Sequence, residues 1–260
     1  MASVSRLRAS PVKGLNQTER TSLTLVPEGI AEDRRFVIVD AGKALYGANL
    51  PELAGSTAAW DAGSNVLTIR FSDGETVADT VRTGEETLAL AYGGRRVPGV
   101  LVDGPWAEAI SARAGKPLEL IQTAVGVGAP GPITIIGDAS IARVAQELAI
   151  ADEALGRRRF KMSIEVDGTE AYDEDAWSGR DVRIGETVVR VGGQVPRCVL
   201  MTRDPDTAQR DYDVLRAILA HRTPMAGGEP PLGVYATVVE PGVIRAGDAV
   251  ELVECDSSPR

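Results

Sequence analysis

Between residues 62 and 74 the chain reads AGSNVLTIRFSDG, where Leu67, Ile69 and Phe71 alternate with Thr68 and Arg70 before the run closes on Asp-Gly. A period of two that ends in a turn signal predicts a half-buried strand entering a hairpin. RFVIVDAG (35–42) and RRVPGVLVDG (95–104) repeat the pattern, so residues 1–121 are expected to form a β-barrel-like domain or a sandwich. One short helix is inserted at 104–118, where Trp106, Ile110 and Ala114 share a face and Gly115 is placed to end it. QTAVGVGAPGPITI (122–135) is dense in Gly and Pro and predicts the connector between two modules. Residues 138–150 carry the helical stripe Ile141, Val144, Ala145 and Leu148, with Asp138 or Ser140 as the cap. Strand character returns over 159–168, 181–193, 197–207 and 232–253, broken by a helix over 211–222 whose Leu215, Ile218 and Leu219 are expected to point inward. The fold class read from this pattern is mainly β with a few helices (α+β), divided into domains at 1–121 and 122–260.

Composition narrows the partners. The 260 residues are 43% hydrophobic and 25% charged, enough to bury a sizeable core, and the net charge is −9. That charge argues against nucleic acid and against an anionic membrane surface. A small-molecule substrate is expected, and an anionic one stays compatible, because local cations and backbone N–H groups make a site whatever the total charge. No apolar stretch of signal-peptide length follows the first basic residues, and no window approaches the ~18 apolar residues of a spanning helix. Two distant cysteines, Cys198 and Cys255, are too few for a zinc or iron–sulfur site. A cytoplasmic, reducing home is the expectation, with pairing of the two cysteines left open.

The chemistry centres on QVPRCVLMTRDPDT (194–207). Cys198 reads either as a buried apolar filler or as a thiolate that binds a soft metal or attacks an electrophile, favoured by the neighbouring cation Arg197. Adjacent strand residues face opposite ways, so Arg197 aids Cys198 only if the chain bends there, which Pro196 permits. In SPVKG (10–14), Lys13 beside flexible Gly14 is either a solvated strand end or a point charge for a phosphate. In EDRRFVIVD (32–40), Arg34 and Arg35 face opposite sides, so at most one enters a given site. YDEDAWSG (172–179) fits no calcium-loop spacing; Asp175 and Trp177 are read as pinning a loop. His221, the single histidine, is read as a helix C-terminal cation rather than a catalytic base. No nucleophile elbow, phosphate-cradling loop or dinucleotide fingerprint is present.

Taken in order, SPVKG, EDRRFVIVD and the series running from RFKMSIEVDG through AYDEDAWSG and QVPRCVLMTRDPDT to LGVYATVVEPGVIRAGDAVEL resemble the MOSC family. More narrowly, they are similar to its two-domain members with an N-terminal MOSC-associated β-barrel, which include the mitochondrial amidoxime-reducing component. The resemblance implies a barrel domain at 1–121 and a MOSC β-barrel domain at 122–260. It implies the molybdenum cofactor (molybdopterin), a pterin dithiolene with an anionic phosphate tail, and Cys198 as the metal ligand and catalytic residue. Lys13 and Arg34 fall where family members turn basic residues toward the cofactor. Lys161, Ser163 and Arg197 are further candidates to hold it, with Thr202 and Asp175 supporting the site. The implied activity is an oxidoreductase acting on N-hydroxylated or similar N–O substrates, with electrons from a separate donor protein. The chain departs from the pattern: it reads RFKMS (159–163) where reductase relatives commonly read RFRPN, and Gly14 stands where serine is common. Lysine keeps the charge but loses the planar fork of arginine. These departures motivate two alternatives: a cofactor-free sulfur-transfer or sulfur-carrier enzyme using Cys198, and a non-catalytic cofactor-binding protein.

Overall fold

The computed structural model describes residues 1–92, 95–126 and 132–253. Its first sheet runs Glu119–Thr123, Arg95–Asp103, Arg82–Tyr92, Lys43–Ala44, Phe36–Asp40 and Val12–Lys13, and Glu119–Thr123 also pairs with Phe36–Asp40, which closes a barrel. Phe36–Asp40 shows why the alternating pattern works. Phe36 and Ile38 join a core with Leu67, Ile69, Trp106 and Leu120, while Val37 and Val39 join a second cluster with Leu90 and Ile121. The predicted hairpin around Asp73-Gly74 forms between Val66–Arg70 and Thr76–Thr80. Helix Trp106–Ala114 packs the fully buried Trp106 against it, with the indole N–H donating to Leu67 O at 3.1 Å. A Cβ on Gly104 would lie 2.3 Å from that ring, so only glycine lets the chain enter the helix here.

The second sheet has eight strands in the order Val250–Leu252, Asp181–Ile184, Thr187–Pro196, Pro231–Glu240, Ile133–Gly137, Ile164–Asp167, Ser3–Ala9 and Thr18–Arg20. Two of these come from the start of the chain. Ser3–Ala9 pairs antiparallel with Ile164–Asp167, and Arg6, Arg8 and Arg157 surround the buried Glu165. Two residues later Val12–Lys13 belongs to the barrel, beside Phe36 and Val37. The chain therefore crosses from sheet to barrel at Ser10-Pro11.

Three local expectations change. Helix Asp138–Glu147 takes no side-chain cap from Asp138 or Ser140. Asp138 pairs with Arg157, and Ser140 Oγ donates to Glu174 at 2.9 Å. Burial pushes the Glu174 carboxyl upward, and the Ser140 hydroxyl works against it. Next, the helix expected over 211–222 spans only Val214–Leu219, started by Asp213. Ile218 is buried with Val214 and Ala217, and Leu215 packs against the same core as expected, while Leu219 is 40% exposed. Finally, His221 bonds Glu147 at 2.7 Å and Arg143, tying the two helices together. Cys255 and residues 127–131 of the connector lie outside the described residues. Among the described residues no helix is long and apolar enough to cross a membrane.

Glu174→Ala removes the buried acceptor of the Ser140 hydroxyl and is expected to cost about 1–3 kcal/mol in urea unfolding. Glu174→Gln keeps an acceptor oxygen and is expected to cost less than about 1 kcal/mol.

Candidate functional site

The crossing at Ser10-Pro11 is held by Asp33. Its buried carboxylate accepts the Ser10 N–H at 2.9 Å and pairs with the Arg34 guanidinium. Arg34 N–H donates to Ser10 O at 2.8 Å and Phe36 N–H to Pro11 O at 2.8 Å. These bonds set Lys13 and Arg34 side by side on a cavity of about 220 Å³, with Lys161, from the segment just before strand Ile164–Asp167, on its wall. A smaller space of about 40 Å³ adjoins it and shares Gly14, Gly47, Lys161 and Leu200.

Charge in the larger cavity is unbalanced. Lys13, Arg34 and Lys161 face one carboxylate, Asp33, which Arg34 already engages. Lys161 is fixed by one bond, Nζ to Leu15 O at 3.1 Å, and Lys13 lies 4.6 Å from the Tyr92 ring. Burial, then Arg34, pulls the Lys13 ammonium down to about 8 against the opposing pull of Asp33. Burial, then Lys13 and Arg158, pulls Lys161 down to about 8. Arg34 and Lys161 also both hold left-handed backbones, with φ 52° and 48°. That conformation costs a non-glycine residue roughly 1 kcal/mol or more and persists where surrounding contacts impose it. Two strained cations aimed into one cavity are a pattern of binding sites rather than of solvated surface.

The segment that bears Lys161 and the segment that bears Cys198 are cross-bonded by two buried arginines. Arg159 donates to Met201 O at 3.0 Å and to Asp211. Arg197 donates in return to Phe160 O at 2.8 Å and to Leu232 O at 2.9 Å. Burial draws Arg197 down to about 10, and Tyr235, Cys198 and Glu174 pull the other way. Strand Thr187–Pro196 ends at Pro196, and Cys198 opens the tight turn Val199–Thr202. Its thiol is exposed; Leu200 of the same turn lines the cavity.

The sequence-derived residues therefore divide. Lys13, Arg34 and Lys161 meet in one cavity, and Arg35 turns away to Thr123 O and Ala31 O. Arg197 points into the core, because its guanidinium finds its acceptors there. Ser163 is buried in the sheet beside Thr134. Thr202 Oγ1 donates back to Val199 O at 2.8 Å within its own turn. Asp175 pairs with Arg222. Cys198 is at the surface of the turn rather than on an interior wall. Sequence reasoning missed Asp33, Gln17, Tyr46 and Tyr92, which share the cavity. Asp33 alone carried a signal, as an acid directly before the two arginines. Among the described residues no group of three or more His, Cys, Asp or Glu side chains converges on a metal position.

A family model described as the MOSC domain matches residues 122–251, and one described as the MOSC N-terminal beta barrel domain matches 1–91. The mitochondrial amidoxime reducing component 2 of Rattus norvegicus is 31% identical over 126 residues, 46% of this chain and 36% of that protein. Molybdenum cofactor sulfurase of Danio rerio is 24% identical over 262 residues, 86% of this chain and 30% of that protein. The chain thus spans well under half the length of these curated relatives. The crystal structure of the YuaD protein from Bacillus subtilis aligns over 97% of this chain and 96% of that one, at 12% identity and a TM-score of 0.49.

Two outcomes follow from the depressed lysines. Sulfate keeps its charge across this range, so its affinity reports the protein's own titration: calorimetry is expected to show tightest binding below about pH 8 and a loss of about tenfold by pH 9.5. Because folding lowers the Lys161 proton affinity, the charged form opposes folding at pH 7, and stability rises as pH climbs from about 8 toward 10.5. Lys161→Met is therefore expected to gain about 1–3 kcal/mol at pH 7 while losing sulfate. A destabilised variant that still binds sulfate contradicts this.

Proposed function

Since the chain belongs to the MOSC family, we propose that it is a molybdenum-cofactor-dependent oxidoreductase that reduces N-hydroxylated or similar N–O substrates with electrons from a separate donor protein. The observation that carries the reading is the cavity in which Lys13, Arg34 and Lys161 face a single engaged carboxylate. The residues present fit the anionic end of the cofactor: the uncompensated cations suit a phosphate, and an exposed thiol suits a soft metal. When bound, the cofactor supplies two-electron redox chemistry at its metal.

The chain's own residues have separable roles in this reading. Lys13 and Lys161 act as point charges for the phosphate, while Arg34, braced by Asp33 and by Pro132 O at 2.9 Å, supplies a fixed guanidinium. Lys161 in place of an arginine contributes charge without bidentate geometry. Cys198 presents its sulfur at the start of the turn, and the two arginine bonds between segments keep that turn in register with Lys161. The relatives named as amidoxime-reducing components support the substrate class.

The exposure of Cys198 favours a second reading, in which its thiolate takes the sulfane sulfur of a persulfide donor, releasing that donor's thiol, and passes it as sulfane sulfur to a nucleophile on a partner. Intact-mass measurement after incubation with a sulfane-sulfur donor, a small-molecule persulfide, separates the two: a stable gain of one sulfur on Cys198 supports transfer, and an unmodified thiol removes it. The leading reading is tested by metal and pterin analysis of protein purified from a host that makes the cofactor. Wild type is expected to carry both, Cys198→Ser to keep pterin with at least about tenfold less molybdenum, and Lys161→Met to lose both. Wild type without molybdenum at useful occupancy overturns it.

A further inference from the structure

Among the described residues, Lys13 is the cation of the cleft whose nitrogen nothing fixes. It is half-buried on the cavity wall. Its Nζ lies 4.6 Å from the Tyr92 ring and takes part in no hydrogen bond or ion pair with a described residue. Lys161, by contrast, gives Nζ to Leu15 O, and Arg34 gives Nε to Asp33 and Nη2 to Pro132 O. Asp33, the carboxylate on the wall, is taken by Arg34 and the Ser10 N–H. The other polar groups there are the Gln17 amide and the hydroxyls of Ser10, Tyr46 and Tyr92, which bring no counter-charge. Burial, then Arg34, draws the Lys13 ammonium down to about 8, so about half of it is free amine at that pH. An ordinary lysine is then less than about 1% free. An amine in such a place is a nucleophile, and its neighbours favour an anionic product. Arg34 keeps Nη1 uncommitted among the described residues, and Lys161 keeps the N–H groups that Leu15 O does not take.

We propose that Lys13 is a carbamylation site: its amine takes up carbon dioxide, and Arg34 and Lys161 hold the carbamate that results. The amine lone pair forms an N–C bond to the carbon, one C=O π bond opens onto oxygen, and a proton leaves the nitrogen for solvent. Nothing is oxidised or reduced. The electrophile enters uncharged, and the charge that it creates is the one that the cleft attracts. Carbamylation turns one of the three cations into an anion. Two cations then face two anionic groups, and the cleft gives up its affinity for phosphate or sulfate. The inference rests on the cleft being the anion site of the proposed function, and it adds a reversible modification that closes that site.

Triethyloxonium, which converts a carbamate to a stable ethyl carbamate, tests it by peptide mass. The full chain is equilibrated at about pH 8 with isotope-labelled carbon dioxide, with and without excess sulfate, and then trapped. Labelled adduct is expected on Lys13 at about fivefold or more the level on the exposed Lys43 and Lys116. Sulfate is expected to lower the Lys13 adduct about tenfold and to leave that on the exposed N-terminal amine of Met1 unchanged. Lys161→Met, which removes one holding cation, is expected to carry about threefold less adduct on Lys13; Lys161→Gln serves the same comparison should the methionine variant fold poorly. A Lys13 adduct no greater than that on the surface lysines, or one that the Lys161 variants leave at full level, overturns the carbamylation site, while calorimetric binding of sulfate to the same sample leaves the anion site standing. An adduct that excess sulfate does not lower, or failure of sulfate to bind wild type, overturns the anion site and this inference with it.

Discussion

The buried carboxylate of Asp33 is the contact on which the site depends. It holds the backbone of Ser10 and the guanidinium of Arg34 at once, at the point where the chain leaves the eight-stranded sheet for the barrel. Because Ser3–Ala9 is bound to Ile164–Asp167 and Val12–Lys13 to Phe36–Asp40, the two residues between them, Ser10 and Pro11, set how the two sheets meet. Lys13 and Arg34 reach the cavity through that geometry. One negative charge thus organises a positive site while neutralising only part of it.

The remaining positive charge is an energetic burden that the fold tolerates. Lys13 and Lys161 are both drawn down to about 8, and Arg34 and Lys161 both sit in left-handed conformations. Each feature disfavours the folded state and becomes intelligible as preorganisation for an anion, which relieves the repulsion when it binds. The reciprocal bonds of Arg159 and Arg197 have the opposite character. They use buried guanidiniums to fasten backbone carbonyls, and they tie the Lys161 and Cys198 segments into one body.

The strands were legible because their alternation is local: Phe36–Asp40 and Val66–Arg70 announce themselves by burial on one or both faces. Lys13, Arg34 and Lys161 were reached through short motifs. Their meeting was not readable from spacing, since it depends on Ser3–Ala9 pairing with a strand some 160 residues later. Arg197 lies beside Cys198 in the sequence, but the stronger demand of its guanidinium is for the buried carbonyls of Phe160 and Leu232, a tertiary preference that spacing does not carry. The Glu174 partner of Ser140 was hidden for the same reason: a tertiary contact engages the hydroxyl that was expected to cap the Asp138–Glu147 helix.

The central proposal is that an anionic group of the cofactor sits against Lys13, Arg34 and Lys161 while Cys198 meets its metal. Anomalous diffraction at the molybdenum edge, from crystals of protein taken from a cofactor-producing host, addresses it directly. A molybdenum peak beside the Cys198 sulfur and phosphate density among the three cations are the expected result. A peak remote from Cys198, or cofactor density with its phosphate facing away from those cations, would contradict it.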